Sequence, residues 1–116
     1  MLVENYIGKW NTGSATNFRY MFRDSIVFNR DISNWDTSKG QNMYAMFYGA
    51  KAFNFDLSAW DVRTVSNMGS MFYGATAFSQ TLCGYTWRTS TAQMTNMFYG
   101  TKSGDLDWKE CGSKSP

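Results

Sequence analysis

NMYAMFYGAKAF fills residues 42–53 and NMGSMFYGATAF fills residues 67–78. The phrase MFYGA-x-AF returns after 25 residues with a single letter free to change. A long phrase written twice at such a period marks a tandem repeat, and a repeat constrains the fold before any local pattern does. Working outward, Ile7, Ile32, Leu57 and Leu82 stand 25 residues apart. Three places later come Trp10, Trp35, Trp60 and Tyr85. Asn17, Asn42 and Asn67 form another column, as do Met21, Met46 and Met71, then Phe22, Phe47 and Phe72, then Phe28, Phe53 and Phe78. In the fourth copy Met94, Met97 and Phe98 fall one place late, which reads as one residue inserted within GYTWRTSTAQ. The 116-residue chain is therefore read as one domain of four units, 7–31, 32–56, 57–81 and 82–104, followed by a cap at 105–116.

Each unit has two halves. In the first, Trp35 and Thr37, or Trp60 and Val62, alternate with Asp36 or Asp61, the period of a short strand buried on one side. In the second, Met43, Met46, Phe47 and Ala50 are spaced as one apolar stripe of a two-turn helix, and Met68, Met71, Phe72 and Ala75 repeat it. Asn42 and Asn67 are placed as N-caps. Gly49 and Gly74 near the end, then Asn54 or Ser79, mark the return loop. Neither a helix nor a strand this short stands alone, so stacking of units is expected to supply the core. The expected architecture is an α/β repeat solenoid, a leucine-rich-repeat-like stack of short parallel strands and short helices. I-x-x-W-x-T and L-x-x-W-x-V follow the L-x-x-L-x-L opening of such repeats, with the asparagine one or two places late.

The pattern F-N-x-D-[IL]-S-x-W-D-[TV]-x-x-x-x-N-M-x-x-M-F-x-x-A, carried best by residues 28–50 and 53–75, resembles the BspA-like surface-protein repeat. That repeat is also described as the Mycoplasma and Listeria lipoprotein-type repeat. The first copy is degenerate, with Phe18 for the first Met and Arg19-Tyr20 inside; the fourth lacks the W-D pair in register. The resemblance implies a surface or secreted protein that mediates adhesion or protein binding. It brings no catalytic residues.

Composition narrows the function. Lys and Arg number 11 against 9 Asp and Glu, a net charge of +2, and no segment concentrates basic residues, so nucleic acid is not an expected partner. No apolar run approaches the roughly 20 residues of a membrane span. The start MLVENYIGKW lacks the basic and apolar regions of a signal peptide. The chain contains 0 His, which excludes Ser-His-Asp and Cys-His nucleophiles. Cys83 and Cys111 fit no zinc pattern and are a possible disulfide pair, with two buried thiols as the alternative. Such a bond would pin the cap to the fourth unit and imply an oxidising compartment. No metal site and no cofactor are expected.

Three sets of residues remain as candidates. Lys9, Asn11, Asn34, Asp36, Ser58, Asp61 and Arg63 face outward from the first halves and form a candidate binding face, because repeat surfaces commonly bind partners. Tyr48, Tyr73 and Tyr99 follow the buried Phe and fall off the apolar stripe, which makes them a candidate aromatic ladder. The pairs Asp31 with Asp36 and Asp56 with Asp61 recur with the repeat, and hydrogen bonding at turns accounts for them better than carboxylate chemistry. Trp10, Trp35 and Trp60 are expected as core wedges. Leu2, Val3, Tyr6, Leu106 and Trp108 are expected to cover the ends, and Asp105-Leu106 to open a final strand. The expected function is non-enzymatic protein or glycan binding at the cell surface or outside the cell. A structural spacer packed against further repeats is the alternative, and a carbohydrate-active enzyme using the Asp columns is a third reading.

Overall fold

The computed structural model describes residues 7–107. The expected end coverage by Leu2, Val3, Tyr6 and Trp108, most of the expected cap, and the Cys111 half of the expected disulfide lie outside the described residues. Cys83 is buried and disulfide-bonded.

The second half of each unit builds the connection to the next. Met43, Ala45, Phe47 and Gly49 donate their N–H groups to the carbonyls of Asn67, Gly69, Met71 and Tyr73, at 2.8, 3.0, 2.8 and 2.7 Å. The intervening N–H groups of Met46, Tyr48 and Ala50 turn back within the unit to Met43, Ala45 and Phe47, at 3.2, 3.2 and 3.0 Å. The same alternation joins the first unit to the second and the third to the fourth. Every N–H along this stretch is thus used, that of Tyr44 by the Asn42 side chain, without any i→i−4 bond.

The helices expected over 43–50 and 68–75 are therefore not formed; the stretch is a run of reverse turns. Ala45 has φ 53° and Gly49 φ 68°, and Ser70 and Gly74 repeat these at 52° and 71°. A left-handed residue in every unit ends helical propagation. The apolar spacing nonetheless reported burial correctly, since Met43, Met46, Phe47 and Ala50 are all fully buried, as are Met68, Met71, Phe72 and Ala75. Period-3.6 patterning states which side chains point inward; consecutive turns meet the same requirement as a helix.

Asn42 and Asn67 do not cap helices. Their side-chain oxygens accept the N–H two residues on, from Tyr44 and Gly69, both at 2.9 Å. Their backbones form parallel bridges that run Asn17, Asn42, Asn67, Gln93. The strands expected at 32–38 and 57–63 are turns as well, closed by Trp35 N–H on Ile32 and Trp60 N–H on Leu57 at 3.1 and 3.0 Å. The alternation there holds for burial alone: Trp35 and Thr37 are inside and Asp36 is outside. The regular elements among the described residues are β1 (Thr81–Leu82), α1 (Tyr85–Arg88) and β2 (Asp105–Leu106), with β2 pairing parallel to β1.

Aromatic columns fill the interior. Phe22, Phe47, Phe72 and Phe98 stack at 5.5, 5.3 and 5.6 Å between centroids. Phe28, Phe53 and Phe78 stack beside them at 5.7 and 6.1 Å. Trp10, Trp35 and Trp60 stack at 6.3 Å each. Each such pair contributes about 0.5–1.5 kcal/mol beyond area burial. The indole N–H groups of Trp35, Trp60 and Trp87 donate to the carbonyls of Ile7, Ile32 and Leu57 at 2.8, 3.0 and 2.8 Å.

This last bond corrects the fourth unit. Trp87, not Tyr85, occupies the tryptophan slot; Trp87 is fully buried and Tyr85 is 66% exposed. Trp87 lies 27 residues after Trp60, while Gln93 lies 26 after Asn67. The one-residue insertion is thus two residues added before the tryptophan, where α1 forms, and one removed after it. Two further corrections concern the first unit. Trp10, expected as a core wedge, and Met21, expected inside from its column with Met46 and Met71, are 46% and 41% exposed. Both belong to the unit with no described neighbour on its outer side.

Candidate functional site

A tyrosine column runs along the surface from unit to unit. Tyr48 and Tyr73 stack at 4.8 Å with planes 4° apart, and Tyr73 and Tyr99 at 5.0 Å and 21°. Tyr48 and Tyr73 are half-buried, and Tyr99 is 64% exposed. The turn geometry explains the placement. Each tyrosine precedes a left-handed glycine, Gly49, Gly74 or Gly100, and follows a phenylalanine that turns inward. Gly49 cannot be replaced without strain: beyond its φ of 68°, an added Cβ would collide with the Asp24 carboxylate.

In the first unit the column ends in a cation. The Arg23 guanidinium lies 5.5 Å from the Tyr48 ring centroid and 5.3 Å from that of Tyr20. Arg19 lies over Tyr20 at 5.7 Å, and Tyr20 meets Tyr44 edge-on at 5.7 Å. Tyr20, Arg23, Tyr44, Ala45 and Tyr48 line a concavity of about 170 Å³. Sequence reasoning noted Arg19-Tyr20 only as a blemish in the repeat. The signal that could have found Arg23 is its register, since it occupies the tyrosine column.

The outward face is assembled less openly. Lys9, Asn11, Asn34, Asp36 and Arg63 are exposed, whereas Ser58 and Asp61 are half-buried. Several of these side chains are committed to local bonds. The Asn11 oxygen accepts from Gly13 N–H at 3.3 Å. Asp36 accepts from the Ser38 amide and hydroxyl at 3.0 and 2.6 Å. Ser58 donates to Asp56 at 2.6 Å and accepts from Cys83 N–H at 3.1 Å. Asp61 and Arg63 form an ion pair at 2.7 Å. These partners hold the carboxyls below their ordinary range: Ser38 chiefly for Asp36, and the Arg63 guanidinium for Asp61. Asp31 is lowered by hydrogen bonding from Ser33. The Asp columns thus close turns, the use expected of them. Among the described residues no group of three or more His, Cys, Asp or Glu is placed to hold a metal ion, and no helix is long and apolar enough to cross a membrane.

Units of one sequence pattern, bonded to each other in register through side chain and backbone, define a tandem-repeat protein. The chain belongs to the family described as "Mycoplasma protein of unknown function, DUF285", whose pattern matches residues 2–110. No curated protein and no solved structure matches it.

Proposed function

We propose that this chain is a non-enzymatic binding domain of a BspA-like surface or secreted protein. In this reading the units form a leucine-rich-repeat-like solenoid in which turns replace helices, and the partner is a protein or a glycan. The observation that carries the reading is the Tyr48–Tyr73–Tyr99 ladder. The core needs none of these rings, yet each unit beyond the first supplies one, and partly exposed tyrosines give rigid contact area at low entropic cost. The test is glycan-array and cell-surface capture with wild type, Tyr73→Ala/Tyr99→Ala and Asp36→Ala/Asp61→Ala. Loss of capture in the tyrosine variant alone supports the ladder as the contact surface; loss only in the aspartate variant moves the contact to the outward face. Capture of nothing by wild type defeats the reading.

The spacer alternative has its own support. Among the described residues no N–H reaches the carbonyls of Asn17, Arg19, Met21 and Arg23 in the first unit. At the other end, the N–H groups of Met94, Asn96, Phe98 and Gly100 reach no carbonyl of a described residue. An acceptor row at one end and a donor row at the other suit addition of further units of the same kind. An ordinary strand, which offers both groups on one side, matches neither row. A chain lengthened by one copied unit ahead of Ile7 tests this: Trp10 fluorescence should become protected from quencher, and unchanged quenching would count against the spacer.

A further inference from the structure

Four of the first unit's departures from the others, at Arg19, Tyr20, Arg23 and Asp24, converge on one place. The inter-unit hydrogen bonds fix the register: Tyr20 stands where Ala45, Ser70 and Asn96 stand, and Asp24 where Gly49, Gly74 and Gly100 stand. By the same register Arg19 stands where Tyr44, Gly69 and Thr95 stand, and Arg23 replaces Tyr48, Tyr73 and Tyr99. The left-handed backbone at these two columns, of Tyr20 and Asp24, recurs in every unit; what differs is that Tyr20, at φ 61°, puts a bulky ring where Ala45, Ser70 and Asn96 put small or polar side chains, while Asp24, at φ 57°, is a residue type that tolerates the region. Tyr20 and Arg23, together with Tyr44, Ala45 and Tyr48 of the second unit, line the concavity of about 170 Å³.

Covering the end of the tyrosine column does not explain the change. A tyrosine at position 23 would stack on Tyr48 as in the later units, and the other units fill the position of Tyr20 with the smaller Ala45, Ser70 and Asn96. What the departures add is charge and phenol together. Neither guanidinium donates a hydrogen bond to another described residue; Arg23 has only the loose, exposed contact to Asp24 at 3.6 Å. With Arg19 and Arg23 against Asp24, the patch keeps an excess of positive charge. The Tyr48 ring is covered by Arg23 on one side and stacked on Tyr73, so recognition must use edges and charge rather than an open ring face. The volume is below the roughly 300–1,000 Å³ of drug-sized sites, so one small unit fits.

We propose that Arg19, Tyr20, Arg23, Tyr44 and Tyr48 form a binding site for a single carboxylate-bearing sugar unit. The Arg23 guanidinium takes the carboxylate as a planar fork, and the phenols take ring hydroxyls. A bare inorganic anion would use the guanidinium and leave the phenols idle; a neutral sugar would do the reverse. The site rests on the binding-domain reading and narrows its ligand to acidic glycans.

The experiment titrates the full chain with methyl β-glucuronide, methyl β-glucoside and sodium sulfate, followed by NMR. The glucuronide is expected to bind saturably and at least about tenfold more tightly than the glucoside, the loss expected for one charge-assisted bond. Tyr20→Ala/Arg23→Tyr, which restores residues that later units carry, is expected to abolish glucuronide binding with an unchanged or raised unfolding midpoint. If that pair lowers the midpoint, Arg23→Tyr alone is read instead. No saturable glucuronide binding, retained binding in the variant, or sulfate binding as tightly as the glucuronide each overturns the site. Capture through Tyr73 and Tyr99 without glucuronide binding would sink this site and leave the broader reading standing. Glucuronide binding lost in the variant would uphold the site even if the ladder captured nothing.

Discussion

The indole N–H of Trp60 donates to the carbonyl of Ile32, 3.0 Å away and 28 residues back in the chain. That carbonyl also receives the Trp35 N–H at 3.1 Å, so one backbone oxygen ties a turn and its neighbour together. Trp60 is 2% exposed and stacks on Trp35 with planes 2° apart. Trp60→Phe keeps an aromatic ring but loses the donor and leaves a void. It should cost about 1.5–3 kcal/mol, and Trp60→Ala about 3–5 kcal/mol. Urea unfolding measures both; equal costs would show that the hydrogen bond and the remaining ring contribute nothing.

The left-handed residue in each unit gives a prediction whose sign separates turns from helices. Ser70 has φ 52° and is half-buried, with Phe72 N–H bonded to Met97 of the next unit rather than back along a helix. Glycine relieves this conformation, so Ser70→Gly should be neutral or stabilising by up to about 1 kcal/mol. In a helix interior the same change would destabilise by roughly 0.5–1 kcal/mol. A clear drop in the unfolding midpoint would contradict the turn geometry.

The repeat register, the identity of the core and the aspartate turns were legible in the sequence, because a 25-residue period and side-chain burial leave marks in letters. The backbone path was not. Ala45 and Ser70 are ordinary helix-compatible residues, and nothing in their identity announces φ values of 53° and 52°. Those values follow from inter-unit hydrogen bonds, which are long-range and override local propensity. The fourth unit misled for a related reason. Tyr85 sits at the expected spacing, but Trp87 is the larger apolar ring with a donor, and the chain adds two residues to bring it to the Leu57 carbonyl. Of the candidate surfaces, the tyrosine ladder was readable from register, while the Arg23 concavity needed the structure to show that unit 1 and unit 2 share it.

The methionine column tests how burial changes along the stack. Met71 is fully buried, and Met21, in the same column, is 41% exposed. Met71→Ala should cost about 2–5 kcal/mol, the range for truncating a buried methionine. Met21→Ala should cost under about 1 kcal/mol, since little apolar area returns to water. Thermal or urea unfolding of the two variants decides it. A cost at Met21 equal to that at Met71 would show that the outer side of the first unit is covered in solution.

Acid should weaken the fold through the turn aspartates. Hydrogen bonds from Ser33 and Ser38 and the Arg63 guanidinium lower Asp31, Asp36 and Asp61 below their ordinary carboxyl range. A carboxyl lowered in the folded state binds fewer protons there than in the unfolded chain. Its contribution is therefore complete above the unfolded value near about 3.9, and is lost as pH falls through the lower folded values. Stability should be flat between about pH 5 and 7 in this respect and decline below about pH 4. Because these groups are largely solvent-facing, the change should be modest for each. Asp31→Asn combined with Asp61→Asn should flatten the acid limb while leaving the Asp36 part in place. An acid limb unchanged by both substitutions would assign the loss to other carboxylates.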